Sequence, residues 1–209
     1  MSKQATRVLL RERGAMCDTF EKVGPDAPTL CTGWDTLDLA AHLVAREARS
    51  DAALGLVVPF LAGHLQNVMD KYKTKGYEPL VAMLRTGPPW MYRTGPLATA
   101  NVNEMFVHHE DVRRPAGEPP RPMDAEMDQI LWKLVGFGMR QKSIPGVSLT
   151  LRAPDGREKV VTKAGSPVAL IGPTGELTLY LSGRKAAAEV TFEGGDDAVA
   201  VVRDAKFGV

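Results

Sequence analysis

Apolar positions recur at helical spacing through the first two-thirds of the chain and at every second residue through the last third. Residues 3–22 open the helical pattern with Val8, Leu9, Met16 and Phe20, and Pro25 and Pro28 close it. A second helix is expected over residues 36–54, N-capped by Asp35, with Asp38 in the first turn where the helix dipole favours negative charge. Helices follow over 58–74 and 77–86 until Gly87-Pro88-Pro89 interrupts the chain. Another covers 98–113, stopped by Pro115 and Gly117, and a further one over 123–141 carries Met127, Ile130, Leu131, Leu134 and Phe137.

The period changes after Ser143-Ile144-Pro145-Gly146. Val147–Leu151 and Glu158–Val161 flank the turn Ala153-Pro154-Asp155-Gly156 and predict a β-hairpin. Val168–Ile171 and Ala188–Phe192 read as further strands and Asp196–Arg203 as a closing helix, while Gly175–Leu181 fits either a short helix or a strand. The pattern therefore predicts an α+β chain, with a helical domain over 1–143 and a small α+β domain over 144–209.

Composition narrows the class. Hydrophobic residues make up 44% of the 209 positions and charged ones 24%, enough apolar surface to bury a core. A formal net charge of +1 without a run of like charges supplies no basic field, so no nucleic-acid partner is expected. No apolar stretch approaches the ~18 residues of a membrane span, and the polar Met1-Ser2-Lys3-Gln4 start lacks the apolar core of a signal peptide. A cytoplasmic protein without a membrane partner is expected. Cys17 and Cys31 are too few for a disulfide framework and form no Cys-x-x-Cys pair, so both are read as reduced.

Candidate chemistry centres on Glu104 and His108, one helical turn apart in Asn101–Asp111 and thus on one helix face. His42, on the second helix, supplies a third ligand. Two histidines and one glutamate are the ligand set of many catalytic zinc sites, which keep one position open for water or substrate. Val102, Met105 and Phe106 flank Glu104 and His108 and turn them partly inward, where a carboxylate beside an imidazole needs a partner. The plainer alternatives are a capping box between Asn101 and Glu104 and a satisfied core histidine at His42. Asp111 and Asp38 are spaced to orient the imidazoles of His108 and His42, or are solvated charges. His109 lies ~100° round the helix from His108 and is not expected on the same metal.

Cys31-Thr32-Gly33-Trp34-Asp35 running into Asp38-Leu39-Ala40-Ala41-His42-Leu43, then Glu104-Met105-Phe106-Val107-His108-His109-Glu110-Asp111, resemble the mycothiol-dependent maleylpyruvate isomerase group of the DinB/YfiT-like metalloproteins. The tail from Gly172-Pro173-Thr174-Gly175-Glu176-Leu177 to Ser182-Gly183-Arg184 is similar to that group's sterol-carrier-like C-terminal domain. The resemblance implies a DinB-like four-helix bundle holding a divalent metal, usually zinc, on His42, Glu104 and His108. It also implies mycothiol as co-substrate, an actinobacterial host, and Arg184 as a catalytic candidate that clamps a substrate carboxylate, a surface arginine being the alternative. The expected function is a transferase or isomerase that activates a small thiol as a metal-bound thiolate toward a small electrophile. The competing expectations are a non-catalytic, metal-stabilised binding protein for a small apolar ligand and a degenerate relative without metal. A monomer and a homodimer fit equally.

Overall fold

The stripe read from the first helix is the buried face of α1 (Ser2–Val23), where Val8, Leu9, Met16, Cys17 and Phe20 are fully covered. The computed structural model describes residues 2–48, 62–87, 95–137 and 144–208, which divide into two units, Met1–Pro119 and Pro120–Val209. In the first unit α2 (Thr36–Ala48), α3 (Ala62–Lys73), α4 (Tyr77–Thr86) and α5 (Gly95–Arg113) follow α1. The expected stretches 49–54 and 58–61 lie outside the described residues. No described helix is long and apolar enough to cross a membrane.

Asp35 caps α2 as its sequence position predicts. Its Oδ1 accepts from the Asp38 amide at 2.8 Å while Asp38 Oδ2 accepts from the Asp35 amide at 3.4 Å, a reciprocal capping box. Asp38 Oδ1 also accepts from Lys73 Nζ at 2.9 Å. Asp38 therefore serves the helix start and α3, and its expected alternative role on His42 gives way to these partners.

α1 packs against α4 and α5, and α2 against α3 and α4. Arg13, 1% exposed, ties three of these helices together. Its Nη1 donates to Glu47 Oε2 at 2.8 Å and to the Leu84 carbonyl at 2.9 Å, and its Nη2 donates to Glu47 Oε1. The loop from Gly24 to Asp35 is pinned across the start of α2. Leu37 and Thr36 amides donate to the Pro25 and Ala27 carbonyls at 3.0 Å each, and Tyr77 donates its hydroxyl to the Phe20 carbonyl at 2.8 Å. Thr29 donates its hydroxyl to the Trp34 carbonyl at 2.8 Å, closing the Cys31–Trp34 turn from inside.

In the second unit α6 (Ala125–Leu134) starts at Asp124, whose carboxylate accepts from the Glu126 and Met127 amides. Its last turn closes at Gly136, which adopts φ 76°, a left-handed conformation that suits glycine, and the expected stretch 138–141 lies outside the described residues. Phe137, expected on the apolar face, is consequently exposed. Trp132 and Val135 join the core of this unit, so contacts place the division at residues 119 and 120, one helix ahead of the boundary that the change in periodicity suggests.

The hairpin forms as β1 (Val147–Arg152) and β2 (Glu158–Val160), with Thr150 opposite Val160. Val147, Leu149 and Leu151 are buried and their alternate neighbours half-buried, the period-two signature of a sheet with one covered face. β3 (Ser166–Ile171) runs parallel to β1 and antiparallel to β4 (Thr191–Gly194), giving the order β2-β1-β3-β4. The ambiguous segment is a helix, α7 (Thr174–Leu181), buried at every position. β4 begins later than expected because the Glu189 amide donates to the buried Glu176 carboxylate at 2.8 Å and a 3₁₀ turn occupies Lys185–Ala187. α8 (Asp196–Asp204) closes the unit with Ala198 and Val202 inward.

Removing one partner of a buried ion pair strands the other charge. Glu47→Ala is expected to cost about 3–5 kcal/mol of stability in denaturant unfolding, and Arg13→Met combined with Glu47→Leu to recover most of it. Burial pushes the Cys17 thiol up to about 11, so little thiolate exists near neutrality. Maleimide labelling of the native protein at neutral pH, read by peptide mass spectrometry, is expected to mark the half-buried Cys31 and to reach Cys17 only after unfolding.

Candidate metal centre

α5 carries a run of polar residues into the interior, with His108, His109, Glu110 and Asp111 all buried and Asp111 wholly so. Each has partners. Glu110 accepts from Arg113 Nη1 and Arg114 Nε at 2.7 Å each. His109 meets Glu12 Oε1 through Nδ1 at 2.8 Å and Thr19 Oγ1 through Nε2 at 2.9 Å, so both ring nitrogens are engaged on the α1 side.

His108 faces the other way. Its Nδ1 lies 2.9 Å from Asp111 Oδ2, and since a carboxylate only accepts, the proton sits on Nδ1. The lone pair is thereby left on Nε2, which lies 3.8 Å from Glu104 Oε2. That separation exceeds a hydrogen bond and approaches the ~3.4 Å between two donors on a tetrahedral cation with ~2.1 Å bonds. In the neutral Nδ1–H imidazole the lone pair is on Nε2, and a cation between it and the Glu104 carboxylate would be shared by both. Donor types and spacing at His108 and Glu104 therefore fit a divalent metal.

His42 stands beside them. Its ring packs edge-on to His108, centroids 5.4 Å apart, and against Trp34 at 4.9 Å. It is 3% exposed, as either a ligand or a core histidine would be. The group whose donor atoms all fall within 4.8 Å of one another is a different one, Cys31, His108 and Asp111. Cys31 Sγ donates to the same Asp111 Oδ2 at 3.2 Å. Among the described residues the potential metal-binding triad is thus one of cysteine, histidine and aspartate; it shares His108 with the expected set, whose three donors do not all approach that closely.

The capping-box alternative for Glu104 is overturned, because α5 begins at Gly95 and Asn101 lies inside it. Asn101 Oδ1 instead accepts from Arg46 Nη1 at 2.9 Å, and Arg46 Nε lies 3.5 Å from Glu104 Oε2. Sequence reasoning passed over Arg46, although it follows His42 by four residues, the spacing that singled out Glu104 and His108. Asp111 does what its position suggested for His108.

Arg184 belongs to the second unit, half-buried after α7, with Nη1 donating to the Ser182 carbonyl at 2.6 Å.

No protein-family profile matches the chain, and no curated protein does. Solved structures do. A mycothiol-dependent maleylpyruvate isomerase superposes with a TM-score of 0.64 at 14% identity, covering 91% of this chain and 92% of that one. A histidine-to-alanine mutant of the mycothiol-dependent maleylpyruvate isomerase superposes with a TM-score of 0.62 at the same identity and coverage. At that identity the likeness is one of fold: this α+β chain is similar in architecture to a mycothiol-dependent isomerase.

Proposed function

We propose that the chain is a divalent-metal-dependent enzyme that activates a small thiol, mycothiol being the first candidate, toward a small electrophile. The observation that carries this reading is His108, with Nδ1 held by buried Asp111 and Nε2 presented to Glu104 at 3.8 Å. His42, Glu104 and His108 are the proposed ligands, His42 turning about its side-chain torsions to bring a nitrogen to the shared point. A divalent ion held there supplies the charge that keeps a thiol ionised at neutral pH.

The chain's own residues do the rest. Asp111 keeps the His108 proton on Nδ1, so that Nε2 stays a donor, as carboxylate–histidine pairs do beside metals. Trp34 covers one face of His42 and limits water on that side. The ionised thiol adds to a carbon of an activated C=C bond; in an S-transfer the resulting carbanion takes up the proton the thiol lost, and in an isomerisation the bond made single rotates before the thiolate leaves and the double bond re-forms. Arg184 belongs to this proposal as the second unit's cation for an anionic substrate group.

A second reading rests on the mutual approach of Cys31, His108 and Asp111, in which a thiophilic ion replaces the protons now on sulfur and Nδ1. The two readings separate spectroscopically. In the cobalt(II)-loaded protein the first reading gives no cysteine-thiolate charge-transfer absorption before thiol is added; an absorption abolished by Cys31→Ser would replace it with the second.

Near-stoichiometric metal by mass spectrometry in the reconstituted protein, lost in His42→Ala and Glu104→Gln, is the expected result, with mycothiol bound in preference to glutathione. A reconstituted protein that takes up no metal would remove the proposal. Asp111→Asn is expected to weaken metal binding ten- to a hundredfold in chelator competition, with the helical circular-dichroism signal retained.

A further inference from the structure

One oxygen of Glu104 faces two nitrogens. Its Oε2 lies 3.8 Å from His108 Nε2 and 3.5 Å from Arg46 Nε. The first nitrogen is an uncharged donor for a cation, and the second belongs to a permanent cation. Arg46 is anchored where it stands, with Nη1 donating to Asn101 Oδ1 at 2.9 Å and the side chain 20% exposed. α2 thus already holds a positive charge against the carboxylate that a metal on His108 would share. The Nε–Oε2 separation exceeds the usual 2.9–3.0 Å of a hydrogen bond, so the hold on Glu104 is electrostatic.

The charge count gives this contact a direction. Among the described residues, the ionisable groups of the centre are His42 and His108, which bind metal as neutral imidazoles, the Cys31 thiol, the Glu104 and Asp111 carboxylates, and Arg46. Glu47, next to Arg46 along α2, is paired with Arg13. A divalent ion cancels the two carboxylates, so the Arg46 charge is left over; a thiolate on that ion then brings the total to zero. Without Arg46 the same two states would be neutral and singly negative. Arg46 therefore opposes the bare ion and favours the ion carrying an anion. Its Nε is 3.5 Å from an oxygen of the proposed ligand set, well inside the ~10 Å screening length at about 0.1 M salt.

Resting on the metal reading above, we propose that Arg46 is a charge-balancing residue that sets metal retention against thiolate occupancy. It lowers the affinity of the centre for the divalent ion alone and raises the affinity of the loaded centre for an anionic ligand. Linkage makes the coupling reciprocal, so the ion is released more readily from a centre without its thiolate than from one that carries it. The two effects of Arg46 have opposite signs. Removing a residue that merely supports Glu104 would instead weaken the metal.

The test compares wild type with Arg46→Gln, which keeps a donor for Asn101 but no charge, with Arg46→Met, and with the charge-retaining Arg46→Lys. Zinc affinity is read by chelator competition. The cobalt(II)-loaded proteins are titrated at neutral pH with 2-mercaptoethanol, whose thiolate brings a charge, and with imidazole, which brings none, both followed by cobalt absorption. In the two neutral variants zinc is expected to bind about tenfold tighter and 2-mercaptoethanol about tenfold weaker, with imidazole binding nearly unchanged and Arg46→Lys close to wild type. Zinc binding that is unchanged or weakened in a neutral variant with its helical circular-dichroism signal retained would overturn the assignment, and so would equal losses of thiol and imidazole binding. Metal taken up by every variant without these shifts removes this proposal alone; no metal in wild type or in either neutral variant removes the metal reading with it.

Discussion

A single carboxylate oxygen, Asp111 Oδ2, receives both the His108 Nδ1–H and the Cys31 thiol, while the carbonyl of the same residue accepts the Leu30 amide at 2.9 Å. Asp111 is fully buried, where a carboxylate needs donors such as these. The constraint runs outward in two directions. Through His108 it fixes which imidazole nitrogen faces Glu104, and through Leu30 and Cys31 it clamps the 24–35 loop to α5. That loop in turn carries Trp34 onto His42 and Asp35 onto the start of α2. The candidate centre and the loop over it are therefore held by one buried acceptor.

The same rule accounts for the other interior charges of the first unit. Arg13 and Glu47 form a two-bond pair between α1 and α2, His109 is held between Glu12 and Thr19, and Glu110 between Arg113 and Arg114. Such pairs gain little over apolar packing of the same volume, but breaking one leaves an uncompensated charge in a medium of low dielectric constant. Their effect is on geometry. α5 is covered on the α1 side by His109 pairing and faces α2 with Asn101, Glu104 and His108, so its rotation about its own axis is set by polar contacts as much as by Val102, Met105 and Phe106.

Much of the architecture was legible in the chain. The helical stripe of α1, the Asp35 cap, the hairpin about Ala153–Gly156 and the closing helix all rest on local rules of periodicity, capping and turn chemistry. Departures occur where non-local contacts decide. β4 starts after the Glu189 amide is taken by Glu176, and α7, from a segment compatible with either structure, is a helix buried at every position. The site was legible as a list of ligand types at helical spacing. Most of its surroundings were not: Glu12 and Arg46 stand 97 and 55 residues from His109 and Asn101, the side chains they meet.

The sequence by itself determined which residue types could bind a cation and which of them share a helix face, because an i,i+4 spacing is a property of the helix alone. It also determined the α+β class, through a change of period near residue 144. Tertiary structure alone decided that His109, Glu110 and Asp111 lie inside rather than in solvent, that Asp111 rather than Asp38 orients an imidazole, and that Arg46 stands beside Glu104. The physical reason is that a buried polar group is defined by its partner, and a partner distant along the chain is supplied only by the fold.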